Sequence, residues 1–593
     1  MAARLGGPTE PLILASGPIA LVVAGAGEAA GGAGADTLVA GDLELVNGDE
    51  LRRRTGHEEG HEAIRRLYAT EGWESVRRLE GGFAIAIWSP AGRELVVAAD
   101  HLGIKRLYWV ERPDFIAFAT RSAALMALPG VAAGADPAAV FHYLNFGFVP
   151  APHSAFAGVR RLAPGHALVV AGGRATDAPY WDLGYPERAM PLDEAAAAVY
   201  GATAAAVARS ARGAPAKEVG AFLSGGTDSS TVVGLLGGAT GERVNAFSIG
   251  FREPRYDELA FAELSARHVN AAHYTQVITA SEALEALPAL VEAFDEPFGN
   301  NSAVGTFFCA RLARECGVKR LLAGDGGDEI FGGNERYRTD RIFARYRKLP
   351  AWLRRGLLEP VLGALPAVSV LGKAQRYVRR AGMANPRRFY SYEFFFAQEG
   401  RAWLAPELVE AAGAEAPWQV LDRHFAAAPA ESELNRLLYL DMKLTLADND
   451  LLKVTRTAEM AGVGVRFPLL DLPLVALMGR LPADLKVRGL EKRYVFKRAF
   501  RSLLAPETLA KPKHGFGVPT SLWLRGDAGF RALAGDTLLS ARARQRGYFR
   551  PGAVEDLMAR HAADATPFYG DVLWTVLMLE LWHRRHADAG GQA

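Results

Sequence analysis

Over the first third of the chain, apolar residues come in short blocks bounded by Gly, Pro or charged positions. Examples are Gly82-Phe83-Ala84-Ile85-Ala86-Ile87-Trp88, Leu95-Val96-Val97-Ala98-Ala99, Phe115-Ile116-Ala117-Phe118 and His166-Ala167-Leu168-Val169-Val170. Blocks of this length and punctuation predict β-strands, here in a mostly antiparallel, layered region. Helices are predicted around Glu62 to Tyr68 and Pro137 to Tyr143. Near the start, Leu12-Ile13-Leu14-Ala15 and Ile19-Ala20-Leu21-Val22-Val23 are separated by Gly17-Pro18. That interruption favours two strands joined by a turn over the apolar core of a signal peptide. Tyr185-Pro186 and Met190-Pro191 close the region at about residue 185. Leu192-Asp193-Glu194 then places acidic residues in the first turn of an alanine-rich helix running to Ala211, where the helix dipole favours them.

After residue 217 the pattern becomes strand, glycine loop, helix. Val219-Gly220-Ala221-Phe222-Leu223 leads into Ser224-Gly225-Gly226-Thr227-Asp228-Ser229-Ser230 and an apolar helix to Leu236. Val244 to Ile249 is a second strand, followed by a helix around Leu259 to His268. Thr279-x-x-Glu282 is a capping box ahead of a helix whose Leu284, Leu287, Val291 and Phe294 share one face. Lys319 to Leu322 is a further strand and runs into Ala323-Gly324-Asp325-Gly326-Gly327-Asp328-Glu329. Strands alternating with helices predict a parallel sheet covered on both faces, with ligands at the carboxyl ends of its strands. From about 336 onward the pattern is mainly helical. The expected domains are therefore 1–185 and 192–590.

Composition narrows the class. Of 593 residues, 50% are hydrophobic and 23% charged, which excludes a mainly disordered chain. Lys and Arg number 68 against 66 Asp and Glu, a balance that gives no electrostatic case for nucleic acid or a membrane surface as partner. No apolar run reaches the length of a membrane span, and a cytoplasmic chain is expected. The two cysteines, Cys309 and Cys316, would lie about 10 Å apart on one helix, too far for a disulfide. Buried packing is the expected role of both.

The loop Ser224 to Ser230 sits between a strand and a helix, where free N–H groups and the helix dipole favour an anion. It lacks the lysine and spacing of a Walker loop and carries an aspartate instead. Such a loop suits a magnesium-bound pyrophosphate, with Asp228 reaching the metal and Asp328, on the second loop, completing its site.

These segments resemble the glutamine-hydrolysing asparagine synthetase family. Ser224 to Ser230 is similar to the pyrophosphate loop S-G-G-x-D-S-S of ATP pyrophosphatases. Phe247 to Phe251, Tyr256-Asp257-Glu258, Asp295-Glu296-Pro297-Phe298, Gly324 to Tyr337, Val465 to Asp471 and Lys511 to Pro519 follow in the family's order, and Asp100 to Tyr108 and Arg161 to His166 resemble it in the first domain. The resemblance implies an α/β fold: a degenerate Ntn-hydrolase-like αββα domain of the class II glutamine amidotransferase type, then a PP-loop ATP pyrophosphatase domain, adenine nucleotide α-hydrolase-like, with a largely helical C-terminal part. It implies ATP and Mg2+ as cofactors and an acyl-adenylate that is amidated with release of AMP. ATP would lie against Phe222, Leu223, Ser224, Gly225, Gly226, Asp228, Ser229, Ser230, Ile249, Ala323 and Gly324, with magnesium at Asp228 and Asp328. Lys513 is the catalytic candidate that offsets charge on the phosphates, and Asp325 the one that orients or deprotonates the nucleophile. The partners implied are a small-molecule carboxylate and ammonia or an amine, with a homodimer left open.

The first domain departs from the family. Glutamine-hydrolysing members use a cysteine directly after the initiator methionine as nucleophile, and residue 2 here is alanine. The R-G-P-D stretch has no counterpart, and the N-G-E segment is reduced to Ala40-Gly41-Asp42. A lost glutaminase, with ammonia or an amine as donor, is the expectation. The acid is aspartate or a relative; a β-lactam- or lasso-peptide-type ligase and a non-catalytic nucleotide-binding protein are the alternatives. His57-Glu58-Glu59-Gly60-His61 matches a zinc-protease pattern but falls in a polar, glycine-weakened segment with no third ligand nearby, and is set aside. The basic run Arg336 to Lys348 and the stripe Arg493, Lys497, Arg501 read first as solvated helix faces, and second as phosphate-facing cations.

Overall fold

The computed structural model describes residues 12–16, 19–23, 28–30, 37–57, 60–131, 134–364, 369–511, 515–564 and 566–588. The first region is built on a six-stranded antiparallel sheet, ordered Arg174–Pro179, His166–Ala171, Glu94–Ala99, Gly81–Ser89, Leu38–Leu45, Glu28–Ala30. Both faces of its central strands are buried, which is why Gly81–Ser89 reads as an unbroken apolar run. Phe83, Ile85 and Ile87 point to one face, where Leu51, Ile64 and Leu67 of helices Gly48–Thr55 and Gly60–Glu71 meet them. Ala84, Ala86 and Trp88 point to the other, against Leu107, Trp109 and Leu162. Trp109 belongs to a three-stranded sheet, Ile116–Ala119, Tyr108–Glu111, Arg160–Arg161. The layers are thus helix, sheet, sheet. Helix Pro137–Phe146 packs away from them, its Val140, Phe141 and Leu144 joining Phe294 and Phe308 in the largest core of the molecule.

Leu12–Ser16 and Ile19–Val23 pair antiparallel as the sequence predicts; the intervening Gly17-Pro18 lies outside the described residues. Residues 180–191 carry no regular element, and helix Leu192–Ala211 follows.

The second region holds a five-stranded parallel sheet in the order Ala272–Ile278, Asn245–Phe251, Val219–Phe222, Arg320–Leu322, Gly464–Arg466. Val219, Ala221, Ala246, Phe247, Leu321 and Leu322 are all buried, as expected for a sheet covered on both faces. The chain leaves Val219–Phe222 toward one edge and returns on its other side with Arg320–Leu322. The carboxyl ends of these two neighbours form the switch point where open α/β sheets bind ligands. Two of the five strands had no counterpart in the sequence reading: Ala272–Ile278 is a half-exposed edge strand, and Gly464–Arg466 has three residues. Among the described residues, no helix is long and apolar enough to cross a membrane.

Candidate active site

The two glycine loops emerge side by side at the switch point. In the first, Leu223 N–H donates to the Phe247 carbonyl (2.8 Å) and Ser248 Oγ to the Leu223 carbonyl (2.5 Å). Gly225 has φ +67°, and a side chain there would run into the Phe261–Ala262 backbone. Ser229 Oγ accepts from Ser224 N–H (3.1 Å), which closes the loop over the start of helix Thr227–Thr240. Asp228, Ser229 and Ser230 open that helix, and Ser230 Oγ is buried with no hydrogen-bond partner. In the second loop Ala323 is fully buried and its N–H donates to the Arg466 carbonyl (2.9 Å). A Cβ on Gly324 would lie 2.9 Å from Ser229 N, so the two loops touch through a glycine. Phe222 and Ile249 flank them on adjacent strands. The structure thus brings together Phe222, Leu223, Ser224, Gly225, Gly226, Asp228, Ser229, Ser230, Ile249, Ala323, Gly324 and Asp328. Lys513 lies outside the described residues.

Asp228 and Asp328 converge on one cation. Arg493 makes a two-pronged pair with Asp228 and a further contact with Asp328. Burial works against its charge, but the two carboxylates more than offset this and raise its pKa above the usual guanidinium value. Arg493 precedes helix Tyr494–Phe500 with φ 57°, a left-handed conformation that side-chain-bearing residues seldom adopt. A Cβ on Gly333 would overlap both Asp328 and Arg493, and one on Gly327 would overlap Asp228. Next to Arg493, Lys492 Nζ donates to the Gly333 carbonyl (2.9 Å) and pairs with Glu335 (2.9 Å). Lys511 approaches from the other side, donating to the Ser224 carbonyl (3.2 Å) and pairing with Glu258 (3.2 Å).

Behind the second loop is a cluster of acidic groups around Lys453 and Glu329. Lys453 lies 3.7 Å from Asp325 and 3.2 Å from Asp450. Glu329 is buried, and burial together with Asp328, Asp450 and Asp441 drives its pKa well above the carboxylate range. Asp441, Asp450 and Lys453 lie on one continuous helical rod: α-helical over Glu433–Asp441, π-helical over Met442–Asp450, α-helical again over Leu451–Ala461. Wide turns of this kind are frequent at functional sites because they re-aim side chains.

A cavity of about 540 Å³ opens beside this rod. Thr445 and Asn449 line it from the rod, Asn334 and Glu335 from just beyond Gly333, and Phe146, Phe148, Phe389, Tyr390 and Tyr392 form aromatic walls. Its charged groups are largely engaged already. Arg336 pairs with Asp441 (3.1 Å) and stacks on Phe389 and Tyr390, and Arg388 pairs with Asp340 (2.7 Å). Asn449 accepts from Asn300 Nδ2 at 3.0 Å.

The model of the asparagine synthase family matches residues 198–584. The chain belongs to that family. A glutamine amidotransferase domain model matches residues 48–181. A putative glutamine-hydrolysing asparagine synthetase of Mycobacterium tuberculosis is 31% identical over 559 residues, covering 90% of this chain and 82% of the relative. Glutamine-hydrolysing asparagine synthetase 1 of Bacillus subtilis is 26% identical over 526 residues, 88% of this chain and 80% of that one. Amidase chry2 of Gibberella zeae is 23% identical over 502 residues, 78% and 73% respectively.

In this asparagine synthase family chain several charged residues lie between the two regions rather than at the strand-end loops. Asp295 and Glu296 are buried in the seam between the two regions. Asp295 accepts from Ser122 Oγ (3.0 Å), and Glu296 from Tyr108 Oη (3.2 Å) and Ala155 N–H (2.8 Å). Asp448 joins them, 2.6 Å from Arg161 and accepting from Ala151 N–H at 2.9 Å. Solvated faces explain Arg338, Arg345 and Arg347 but not Arg336 or Arg493, which are drawn inward by carboxylates far along the chain. Cys309 is buried as expected, whereas Cys316 caps its helix and is exposed. His61 lies in helix Gly60–Glu71 and His57 ahead of it, so they share no helix face; Glu58 and Glu59 lie outside the described residues.

Proposed function

We propose that this chain is an ATP-dependent, AMP-forming amide ligase, with a PP-loop nucleotide site over residues 192–590 and an Ntn-hydrolase-like scaffold over residues 1–185. The observation that carries the reading is the convergence of Asp228 and Asp328, from two strand-end loops at the switch point, on a single cationic position. A substrate carboxylate oxygen attacks the α-phosphorus of ATP, the bond to the bridging oxygen breaks, and pyrophosphate leaves. The amine nitrogen then attacks the acyl carbon, AMP leaves, and the nitrogen gives up a proton. The loop N–H groups and the dipole of Thr227–Thr240 would hold the phosphates. Lys513, and Lys511, which donates to the Ser224 carbonyl, would balance their charge. Asp325 would orient or deprotonate the amine, with Lys453 3.7 Å from its carboxylate.

The residues fit a magnesium ion. Two hard oxygen donors meet at one point, and the glycines around them leave room that a Cβ would fill. Among the described residues no group of three or more His, Cys, Asp or Glu could hold a metal, so the nucleotide phosphates would supply the remaining ligands, as is usual for magnesium. Bound there, the ion would neutralise the leaving pyrophosphate.

We further propose that ammonia or an amine is the nitrogen donor. None of residues 1–308 is a cysteine, and Asp42, in the segment reduced from N-G-E, is tied to Lys105 at 2.8 Å, which also reaches Glu459 at 3.6 Å. The cavity favours a second reading for the acid. A volume of about 540 Å³ lies in the range of pockets that bury drug-sized ligands, roughly 300–1,000 Å³, and its aromatic walls exceed what a four-carbon acid needs. An acid with an aromatic or peptide-like body suits it better than aspartate.

Pyrophosphate release from ATP tests all of this, measured with aspartate plus ammonium, aspartate plus glutamine, and a panel of larger acids with ammonium or amines. Release with any acid supports the ligase, and release with none overturns it. Glutamine acting as well as ammonium refutes the lost glutaminase. Release with aspartate and not with larger acids refutes the second reading.

A further inference from the structure

We infer that Arg493 is a resident counter-cation that competes with a divalent metal ion for Asp228 and Asp328. The inference rests on the metal assignment proposed above and adds a residue to it. The guanidinium bridges both carboxylates, and its side chain is 6% exposed. Guanidinium has donors and no acceptors, so it can only meet acceptor atoms, which here are the oxygens of the two carboxylates. Its backbone holds φ 57°, a conformation that persists where the surroundings over-determine it. Gly333 and Gly327 are cut back to the space that the three side chains occupy. Lys492, adjacent in the chain, is held on Gly333 and Glu335, so the arginine swings from a fixed neighbour. Among the described residues, its guanidinium also faces the ring of Phe496, 5.3 Å from the guanidinium carbon.

Two carboxylates brought together without a cation repel, and a buried charge without a partner is costly. Arg493 lowers that cost in the metal-free chain. A bare Mg2+ must then shed tightly held waters and displace a two-pronged pair, which leaves a buried guanidinium with no anion. A metal that arrives with phosphate oxygens provides the displaced guanidinium with charge-assisted acceptors. Arg493 therefore admits the metal with a polyphosphate and resists it alone.

Thermal melting of the full chain separates the outcomes, with MgCl2 alone, with ATP and MgCl2, and with neither. The wild-type chain is expected to ignore millimolar Mg2+ alone. R493Q should melt on the order of 5 °C lower without metal and recover most of that loss with Mg2+ alone. A variant as stable as wild type and equally indifferent to Mg2+ would overturn the inference, as would a wild-type chain that gains as much from Mg2+ as R493Q does. Should R493Q fail to fold, the comparison moves to the D228N/D328N background. There the same arginine substitution should cost nothing; a cost undiminished by the missing carboxylates marks Arg493 as ordinary packing and overturns the proposal. If R493Q responds to Mg2+ while the wild-type chain ignores ATP with MgCl2, the counter-cation stands and the nucleotide reading fails.

Discussion

The two regions use buried charge differently. In the first, nearly every buried or half-buried charged group is committed to holding the chain together. Asp100 accepts the N–H groups of Leu102, Gly103, Ile104 and Lys105 to shape a turn, Lys105 ties Asp42 to Glu459, and Arg161 reaches across to Asp448 and Glu296. In the second, like charges are gathered at the strand ends: Asp228 beside Asp328, and Glu329 close to Asp328, Asp450 and Asp441. Gathering like charges opposes folding, and perturbed groups of this kind concentrate at functional sites. The contrast is one of use: buried charge in the first region holds chain segments together, and in the second it is concentrated at the strand ends.

The largest effect that would sharpen this contrast is at Asp228. Asp228→Ala is expected to lower pyrophosphate release by a factor of roughly a thousand or more, and turnover that survives it would remove the site from the second region. Next is the seam. Arg161→Ala leaves buried Asp448 and Glu296 with only the more distant Arg106, 3.9 Å from Asp448, which should cost about 3 kcal/mol of stability, read by denaturant melting. A loss well under 1 kcal/mol would mean that the first region is not a structural partner.

Acid comes third. His101 is buried against Phe83, Tyr180 and Trp181, its two ring nitrogens have no hydrogen-bond partner, and burial lowers its pKa to about 4. The folded value lies below the unfolded one of about 6.5. The unfolded chain therefore binds the extra proton between these values, and stability falls as pH drops from about 6.5 to 4, by about 3 kcal/mol in all. His101→Phe should flatten that part of the pH–stability curve; an unchanged slope refutes the assignment. The smallest effect is at Asp42, whose pair with Lys105 is partly exposed. Asp42→Asn should cost about 1 kcal/mol or less and leave ammonium-dependent release intact. Glutamine-dependent release in the wild-type chain that disappears in this variant would make the first region a working glutaminase and erase the contrast.

Much of this was legible along the chain. Strands with apolar runs, glycine loops at their ends and the capping box at Thr279, closed by Glu282 on both counts, are set by neighbours within a few residues. The two carboxylates and both loops could be named from those signals. Arg493 could not be placed, because nothing near it in sequence distinguishes an inward arginine from the exposed Arg501 on the same stripe. Asp441 and Asp448 give a faint signal as acids within an apolar helix. The acids Asp295 and Glu296 stand in a recognisable motif, yet nothing local shows that they face another region.

The sequence by itself determined most of the local elements, the chemistry available at the strand ends and the absence of a thiol before Cys309. Those depend on residue type and short-range geometry. Only the tertiary structure decided what those groups meet. Asp228 and Arg493 are 265 positions apart, and Arg320–Leu322 gains its outer neighbour from Gly464–Arg466. Such pairings form when the sheet assembles and low-dielectric burial draws opposite charges together, a selection made over the whole folded chain rather than along it.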